Sequence, residues 1–255
     1  RIHPTITPLQ ARTGRMSVSA PPLQQLPSSS SLIRRCIMAE PGSTFVSADY
    51  AQVELRVLAA LSGDRTMIDT FISGEDIHST TARRLFGDDF TKAQRKLAKN
   101  VAFGKVYGGG ATHLSRQTGA GLAEVRGVVA AFDSLYPGIR RYARDLQRAA
   151  ERKHGLISSA TGRPLAIDRD RGYAVTNYVV QSTARDILAE AMVALADSWL
   201  APYLRLPIHD EVLLEVPTDA VDDASRTLYD AMQSDLYGVP ITVDVEVLGS
   251  RWEAK

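Results

Sequence analysis

Two acidic residues within apolar segments point to metal-dependent chemistry. Asp49 ends the strand-like segment STFVSADY, and Asp210 lies inside LPIHDEVLLEV, between two runs typical of buried strands. An ionised carboxylate in a sheet costs several kcal/mol unless it is paired, hydrogen-bonded or bound to a cation. Two carboxylates at strand ends of one sheet can converge on Mg²⁺, which takes one or two protein carboxylates together with substrate phosphates. The alternative is that Asp49 or Ser47 only caps the helix that follows.

A second pattern places cations and aromatic rings on one side of a helix. In RKLAKNVAFGKVYGGG, Arg95, Lys99, Phe103 and Tyr107 recur every four residues, so each step drifts by about 40° and the four form one stripe. Such cations can bind phosphates, and such rings can stack on a base or sugar. An amphipathic helix with core aromatics and solvated cations is an equal alternative. Gly104 indicates a packing or functional requirement, because glycine within a helix is unfavourable.

A third pattern is a pair of amides. Asn177 and Gln181 in NYVVQSTARDIL are four residues apart, on one face of a predicted helix. Amides can hydrogen-bond the N3 and O2 acceptors present throughout the DNA minor groove. The alternative is ordinary polarity on a helix surface.

The elements that must position these residues alternate between sheet and helix. The predicted order is a strand at 43–50, a helix at 52–61, mostly helix over 65–155, an extended pair at 156–167, a helix at 173–199, a hairpin around 209–210, a helix at 219–236 and a strand at 240–247. Residues 1–31 are predicted to be extended chain and turns. This order predicts an α+β fold, an antiparallel sheet that carries an inserted helical subdomain.

Composition sets further bounds. With 255 residues, 44% of them hydrophobic, the chain can bury a core in one or two domains. No apolar run approaches the ~18 residues of a membrane span. Cys36 is the one cysteine, which excludes a disulfide framework and fits a reducing cytosol.

Charge is segregated along the chain. Residues 83–105 contain seven Lys/Arg and two acids, a net charge of 7 − 2 = +5. Residues 140–153 contain six Lys/Arg and two acids, a net charge of +4. Residues 209–255 contain three Lys/Arg and eleven acids, a net charge of −8. This asymmetry suits one part that faces a polyanion and another that holds cations. Solvated helix faces are the alternative.

Together these stretches resemble family A DNA polymerases, the bacterial DNA polymerase I type. DYAQVELR resembles motif A of that family (DYSQIELR), IHDEV resembles motif C (VHDE), and TGRMSVSAPPLQQLP resembles TGRLSSSDPNLQNIP. Motif B, R-x3-K-x3-F-G-x2-Y-G, is matched at Arg95, Lys99, Phe103, Gly104, Tyr107 and Gly108. Order and approximate spacing agree from about residue 11 to Trp252.

The resemblance implies template-directed DNA synthesis: transfer of a nucleotide from a dNTP to a primer 3′-hydroxyl, with release of pyrophosphate. Asp49 and Asp210 would bind two Mg²⁺ ions, or Mn²⁺ in their place, with the backbone carbonyl of Tyr50 as a further ligand. Glu211 would lie beside the primer terminus and count with the two aspartates and Lys99 as catalytic.

The resemblance also implies two sets of binding residues. The residues that would bind the incoming nucleotide are Gln52, Glu54, His78, Arg95, Lys99, Phe103 and Tyr107. In this set Arg95, Lys99 and His78 would grip the triphosphate, and Glu54 would exclude a 2′-hydroxyl. The residues that would bind primer–template DNA are Arg15, Gln24, Gln25, Asn177, Gln181 and His209.

The implied architecture is a right-hand polymerase fold that lacks most or all of the thumb. The palm would comprise 1–64 and 171–255, and the fingers 65–170. The thumb and any exonuclease domain would precede Arg1 in a longer polypeptide. A monomer is expected, away from membranes, in the cytoplasm of a bacterium or a phage-infected cell. Alternative functions are a nucleic-acid-binding remnant with weak or no catalysis and a single-subunit RNA polymerase of the phage type.

Some positions depart from the family pattern. QGTAADL is QSTARDI here, so Ser182 and Arg185 replace small residues near the duplex. Arg185 is expected either to strengthen a contact with the DNA backbone or to form a salt bridge with Asp186. Gln25 stands where asparagine is usual. Phe103, where some members carry tyrosine, implies discrimination against dideoxynucleotides.

Overall fold

The structure is a computed structural model that describes residues 1–27, 31–107 and 109–252. Its strands are β1 Thr5–Thr7, β2 Ser17–Ser19, β3 Ser43–Tyr50, β4 Leu156–Ser158, β5 Pro164–Ala166, β6 Leu204–Ile208, β7 Glu211–Pro217, β8 Ser234–Leu236, β9 Val239–Ile241 and β10 Val243–Gly249. Its helices are α1 Ser31–Arg34, α2 Val53–Ser62, α3 Arg65–Ile72, α4 Ile77–Phe86, α5 Lys92–Val106, α6 Ala111–Thr118, α7 Leu122–Leu135, α8 Pro137–Arg152, α9 Val175–Ala196 and α10 Val221–Met232.

The chain divides into two compact units. Unit 1 comprises Arg1–Val53, Ala184–Ser234 and Ile241–Lys255, and unit 2 comprises Glu54–Thr183 and Asp235–Pro240. Helices α2 and α9 contribute residues to both. The palm and fingers boundaries given above stay a prediction.

Unit 1 is built on a four-stranded sheet in the order β10-β3-β7-β6, in which every neighbouring pair is antiparallel. On α10, Ala224, Leu228 and Met232 recur every four residues and are buried, and the helix packs on β10, β3 and β7. Phe45 of β3 belongs to a second apolar cluster with Trp252. The sheet is therefore covered by apolar residues away from its Asp49 end.

The predicted hairpin is confirmed. Ile208 pairs with Glu211, so β6 and β7 are joined by a two-residue turn, His209–Asp210. Asp210 thus lies at the tip of a tight turn and not within a strand. This placement reduces the burial that an acid flanked by apolar segments would otherwise suffer.

The C-terminal elements differ from the prediction. The helix expected over 219–236 ends at Met232, and the strand expected over 240–247 is divided between β9 and β10. A small hairpin of β8 and β9 replaces the last helical turn. At its tip Tyr237 and Gly238 both have positive φ, 52° and 82°, the pattern of the two-residue turns whose twist matches that of paired strands.

Unit 2 is mainly helical. Leu97, Ala98, Val101 and Ala102 form the buried side of α5. A Cβ on Gly104 would clash with the side chain of Leu114 on α6, which is fully buried and would have to move. The requirement that the sequence indicated at this glycine is one of packing.

The predicted fold class is confirmed: an α+β chain in which helices α2–α8 intervene between strands of an antiparallel sheet. In the part of the chain that the structure describes, no helix is both long enough and apolar enough to span a bilayer.

Candidate active site

Three acids line up across the sheet of unit 1. Asp49 of β3 pairs directly with Glu211 of β7 on one side and with Asp244 of β10 on the other. Directly paired residues of an antiparallel sheet share a face. Asp49, Glu211 and Asp244 therefore point to one face, while Ala48 and Tyr50, beside Asp49 in the strand, are buried. Asp49 does not cap a helix, because α2 begins four residues later, at Val53.

Asp210 joins this row from the hairpin turn. Its carbonyl oxygen accepts a hydrogen bond from the Tyr50 amide at 3.2 Å, which ties the turn to the end of β3. His209 in the same turn and Gln52 just after β3 both have a φ of 57°, a left-handed conformation that non-glycine residues seldom adopt. Such backbone outliers cluster at functional sites. Here they flank both candidate metal ligands.

The electrostatics of the row are unfavourable without a cation. Desolvation by surrounding protein raises the pKa of Asp49 to about 7, and repulsion from Asp210, Glu211 and Asp244 adds to the shift. Asp49 is nevertheless exposed, so a cation can reach it from solvent. Burial also raises the pKa of Glu211, although Arg34 and a hydrogen bond with Ser47 oppose the shift.

The donor set fits Mg²⁺. Asp49 and Asp210 offer carboxylate oxygens, the ligands that this hard cation prefers, and a bound cation would relieve the repulsion that raises the pKa of Asp49. Within the described residues no three His, Cys, Asp or Glu side chains already converge to hold an ion. A Mg²⁺ site uses one or two carboxylates and completes its shell with water and phosphate. The Tyr50 carbonyl as a ligand stays a prediction.

In unit 2 the predicted cationic and aromatic stripe lies on the side of α5 away from its buried residues. Arg95 and Phe103 are half-buried and Lys99 is exposed. Tyr107, which follows the last residue of the helix, is 43% exposed. The Lys99 ammonium lies 5.9 Å from the centroid of the Phe103 ring. The alternative in which both aromatics are core residues is therefore wrong. Gly108, the last position of motif B, lies outside the described residues.

Arg95 is held by an acid that the sequence analysis did not select. Its Nη2 and Nε lie 2.6 and 3.1 Å from Asp76 Oδ2, and Nε also donates to Ser79 Oγ at 2.9 Å. Asp76 also caps α4 by accepting from the Ser79 amide at 2.9 Å. Although desolvation opposes it, hydrogen bonds from Ser79 and Arg95 lower the pKa of Asp76 to about 2. Asp76 precedes His78 in EDIH, and its position before a predicted helix was the available signal.

His78 is buried under the same stripe. Its ring centroid lies 5.7 Å from that of Phe103, and its Nδ1 has no hydrogen-bond partner among the described residues. Desolvation lowers the pKa of His78 to about 4, with help from Lys99 and Arg95 and against the opposing effect of Asp76. At neutral pH His78 is therefore uncharged, so a role on phosphate would rest on hydrogen bonding and not on positive charge.

Glu54 and Tyr107 contact each other. The Tyr107 hydroxyl donates to Glu54 Oε2 at 2.9 Å, and Glu54 is buried. This bond joins the first turn of α2 to the end of α5 within unit 2. The sequence predicted roles for both residues at the nucleotide, and the structure adds that their side chains form one hydrogen-bonded pair.

The predicted DNA-binding residues of unit 1 are divided between a cleft and the exposed surface. Arg15, Gln24 and His209 line one small cleft, whereas Gln25 is exposed. Gln24 already bridges two segments, since its Oε1 accepts from the Val18 amide and its Nε2 donates to the Pro207 carbonyl, both at 3.2 Å. One Nε2 hydrogen is left for a ligand.

The amides on α9 are not ordinary surface polarity. Asn177 and Gln181 are half-buried, and Asn177 Oδ1 is buried without a hydrogen-bond partner among the described residues. Gln52 is also half-buried, and its Oε1 likewise has no hydrogen-bond partner among the described residues. The structure thus gathers acids in unit 1 and cations with aromatics in unit 2, and leaves several polar atoms without partners. The individual roles stay predictions.

Comparison with known proteins identifies the family. The family model described as DNA polymerase family A matches residues 1–254. The chain is 46% identical over 254 residues to a DNA polymerase of Mycobacterium phage D29 and 40% identical over 275 residues to DNA polymerase I of Chloroflexus aurantiacus. These matches cover 99% of this chain but 42% and 29% of those proteins.

A solved structure gives the same result. The polymerase domain of Pol1 from M. smegmatis, in complex with DNA primer-template and dNTP, matches with a TM-score of 0.89 and 31% identity, over 99% of this chain and 48% of that one. The chain therefore spans less than half the length of these relatives. The family match over nearly the whole chain, together with the acids and the motif B stripe, shows that the chain belongs to DNA polymerase family A.

Proposed function

We propose that this chain carries the nucleotidyl-transfer site of a template-directed DNA polymerase, with primer–template DNA and dNTPs as substrates. The observation that carries the proposal is the row of acids in unit 1, where desolvation and the repulsion from neighbouring carboxylates together raise the pKa of Asp49 to about 7. An arrangement so costly for folding is expected at a site selected for cation binding. Membership in family A and the likeness to a polymerase domain in complex with primer-template and dNTP support it.

In this proposal Asp49 and Asp210 hold two Mg²⁺ ions, with the Tyr50 carbonyl as a further ligand. When bound, the ions supply activation of the primer 3′-hydroxyl and neutralisation of the triphosphate. Glu211, which pairs directly with Asp49 in the sheet, lies beside the primer terminus in this proposal.

The α5 stripe binds and orients the nucleotide. Arg95 and Lys99 donate charge-assisted hydrogen bonds to the triphosphate, and Lys99 delivers a proton to the departing pyrophosphate. Phe103 stacks against the sugar and base. Phe103 has no phenolic hydroxyl, and we therefore predict that the protein prefers a nucleotide with a 3′-hydroxyl and discriminates against dideoxynucleotides.

The Glu54–Tyr107 pair controls sugar and template positions. Glu54 excludes a 2′-hydroxyl beneath the sugar, while Tyr107 occupies the template position until the next base enters. Because the two side chains share a hydrogen bond at 2.9 Å, a substitution of either removes that bond from the other. His78 contributes as a neutral ring behind Phe103.

We place the protein in the cytoplasm of a bacterium or a phage-infected cell.

Primer extension tests the proposal. The full reading frame that contains this chain is incubated with a primed template, Mg²⁺ and either dNTPs or rNTPs. Elongation with dNTPs and poor use of rNTPs are expected, and Glu54→Ala should increase rNTP use. Efficient elongation with rNTPs by the unmodified protein would favour the RNA polymerase alternative. Duplex binding without elongation in Mg²⁺ or Mn²⁺ would favour the inactive remnant.

A further inference from the structure

We propose that Arg185 is an additional DNA-binding residue that donates hydrogen bonds to minor-groove acceptors of the primer–template. The proposal rests on the proposed function, because it needs a duplex beside α9. It concerns a feature particular to this chain, since the family pattern QGTAADL has alanine where QSTARDI has Arg185.

Helical spacing places Arg185 in line with the two amides. Asn177, Gln181 and Arg185 are separated by four residues each, so on α9 they form one stripe with a drift of about 40° per step. All three are half-buried, whereas Val180, Thr183 and Ala184 between them are buried. Arg185 thus extends a polar stripe that begins with residues expected to contact the minor groove.

Within unit 1, Arg185 also opens onto the cleft that contains other predicted DNA-binding residues. Arg15, Gln24, Arg185 and His209 line this cleft together with Leu188. The four polar residues come from an N-terminal loop, a short helical turn, α9 and the β6–β7 turn. Their convergence from four segments argues against a solvated helix face as the explanation of Arg185.

The hydrogen bonds that the structure gives the Arg185 guanidinium leave donors unused. Nη1 donates to Asp186 Oδ1 at 3.1 Å, and the side chain is only 12% exposed. Nε is buried and has no partner among the described residues. A guanidinium has five N–H donors, and a buried donor without a partner is unfavourable. The single bond to the adjacent residue therefore does not account for this side chain.

Minor-groove acceptors fit this group better than a phosphate does. The neighbouring amides on the stripe suit N3 and O2 acceptors, and the negative potential of the minor groove attracts arginine. The guanidinium of Arg185 is planar and largely buried. It can therefore reach only an acceptor atom that the DNA places at a defined position beside the cleft. A phosphate can also accept the arginine fork, so the preference for the minor groove comes from the amides that Arg185 extends and not from the fork itself.

The test measures duplex affinity in Ca²⁺, without catalysis, for the full reading frame that contains this chain. Single 3-deazapurines, which lack the N3 acceptor, are placed in turn at each purine near the primer terminus. For the unmodified protein we expect one position to weaken binding about tenfold. Arg185→Ala should bind the natural duplex about tenfold more weakly and lose no further affinity at that position.

Four comparisons make the result decisive. Arg185→Lys should behave like Arg185→Ala if the planar fork matters, and Arg226→Ala, which removes an exposed arginine of α10, should leave affinity unchanged. If methylphosphonates and not 3-deazapurines lose their effect in Arg185→Ala, the contact is to phosphate and the proposal is wrong. If Arg185→Ala lowers the melting temperature but not the affinity, Arg185 only pairs with Asp186 and the proposal is also wrong.

These outcomes are separable from those of the proposed function. A protein that binds the duplex with an Arg185-dependent 3-deazapurine effect but extends no primer would contradict the polymerase proposal and support this one. If the Arg185→Ala variant extends primers normally and binds the duplex with unchanged affinity, the polymerase proposal is supported and the Arg185 proposal is wrong.

Discussion

The two units assemble charge in opposite ways. In unit 1, Asp49, Glu211 and Asp244 come from three strands that are distant in the sequence and adjacent in the sheet. In unit 2, Arg95 and Lys99 lie one turn apart on a single helix. A helix can present like charges at a spacing that its own geometry sets, whereas the acids meet only when strand pairing brings them together. The acid row is therefore a property of the folded sheet, and the cation stripe is a property of a segment.

The units also differ in how the charges are balanced. Asp76 holds Arg95 through a carboxylate whose pKa is lowered to about 2, and Asp133 lies 2.8 Å from the Lys105 ammonium. The neighbours of Asp49 are acids, and its pKa rises to about 7. The difference teaches that Arg95 and Lys105 in unit 2 already have acidic partners, whereas Asp49 in unit 1 has acidic neighbours whose repulsion a cation would relieve.

The largest expected effect comes from removing a carboxylate in unit 1. Asp49→Asn or Asp210→Asn should lower the rate of primer extension on the order of a thousandfold or more, since a metal ligand contributes several kcal/mol to the transition state. The melting temperature in EDTA should stay the same or rise, because the substitution relieves repulsion. Calorimetry and extension assays on the same preparations check both. Loss of the fold would show instead that the acids are structural.

Next in size are the cations of unit 2. Arg95→Ala and Lys99→Ala should each reduce kcat/KM for dNTPs about tenfold to a hundredfold, the range expected when one charge-assisted hydrogen bond is lost. Lys96→Ala is the matched control, because Lys96 is an exposed cation of the same helix outside the stripe. Steady-state kinetics with a saturating primed template measure the effect. Equal losses for Lys96 and Lys99 would reduce the stripe to a general cationic surface.

A smaller effect separates positioning from charge. Asp76→Asn keeps a side chain suited to capping α4 but removes the carboxylate that holds Arg95. We expect KM for dNTPs to change about fivefold with little change in melting temperature, since exposed ion pairs contribute at most about 1 kcal/mol. If the Asn variant unfolds at much lower temperature and binds dNTPs normally, Asp76 serves the helix and not the nucleotide.

The last effect is on stability and not on the reaction, and it concerns His78 and pH. Its folded-state pKa of about 4 lies below the usual 6.5, so between these values the unfolded chain binds a proton that the folded protein does not. Stability contributed by this group is present above pH 6.5 and is lost as the pH falls towards 4, by up to about 3 kcal/mol. Chemical denaturation at pH 7 and pH 4.5 measures the loss, which His78→Gln should reduce. An unchanged loss in that variant would assign the pH dependence to other groups.

Much of the fold followed from local patterns. The strand at 43–50, the hairpin turn at 209–210 and the helix with Arg95 were all predicted, because alternation, turn residues and four-residue spacing are written in short segments. The helix expected to continue to residue 236 was wrong, since the turn at Tyr237–Gly238 joins two short strands whose pairing no local pattern revealed. Strand pairing is a relation between segments.

The site divides along the same line. By itself the sequence determined which side chains are candidates for chemistry: two acids beside strands, a cationic and aromatic stripe, and amides one turn apart on a helix. Only the tertiary structure decided that Asp244 joins Asp49, that Asp76 holds Arg95, and that Arg185 lines a cleft with His209. The physical reason is that spacing along one element follows from backbone geometry, whereas contacts between elements depend on the register and packing of the whole chain.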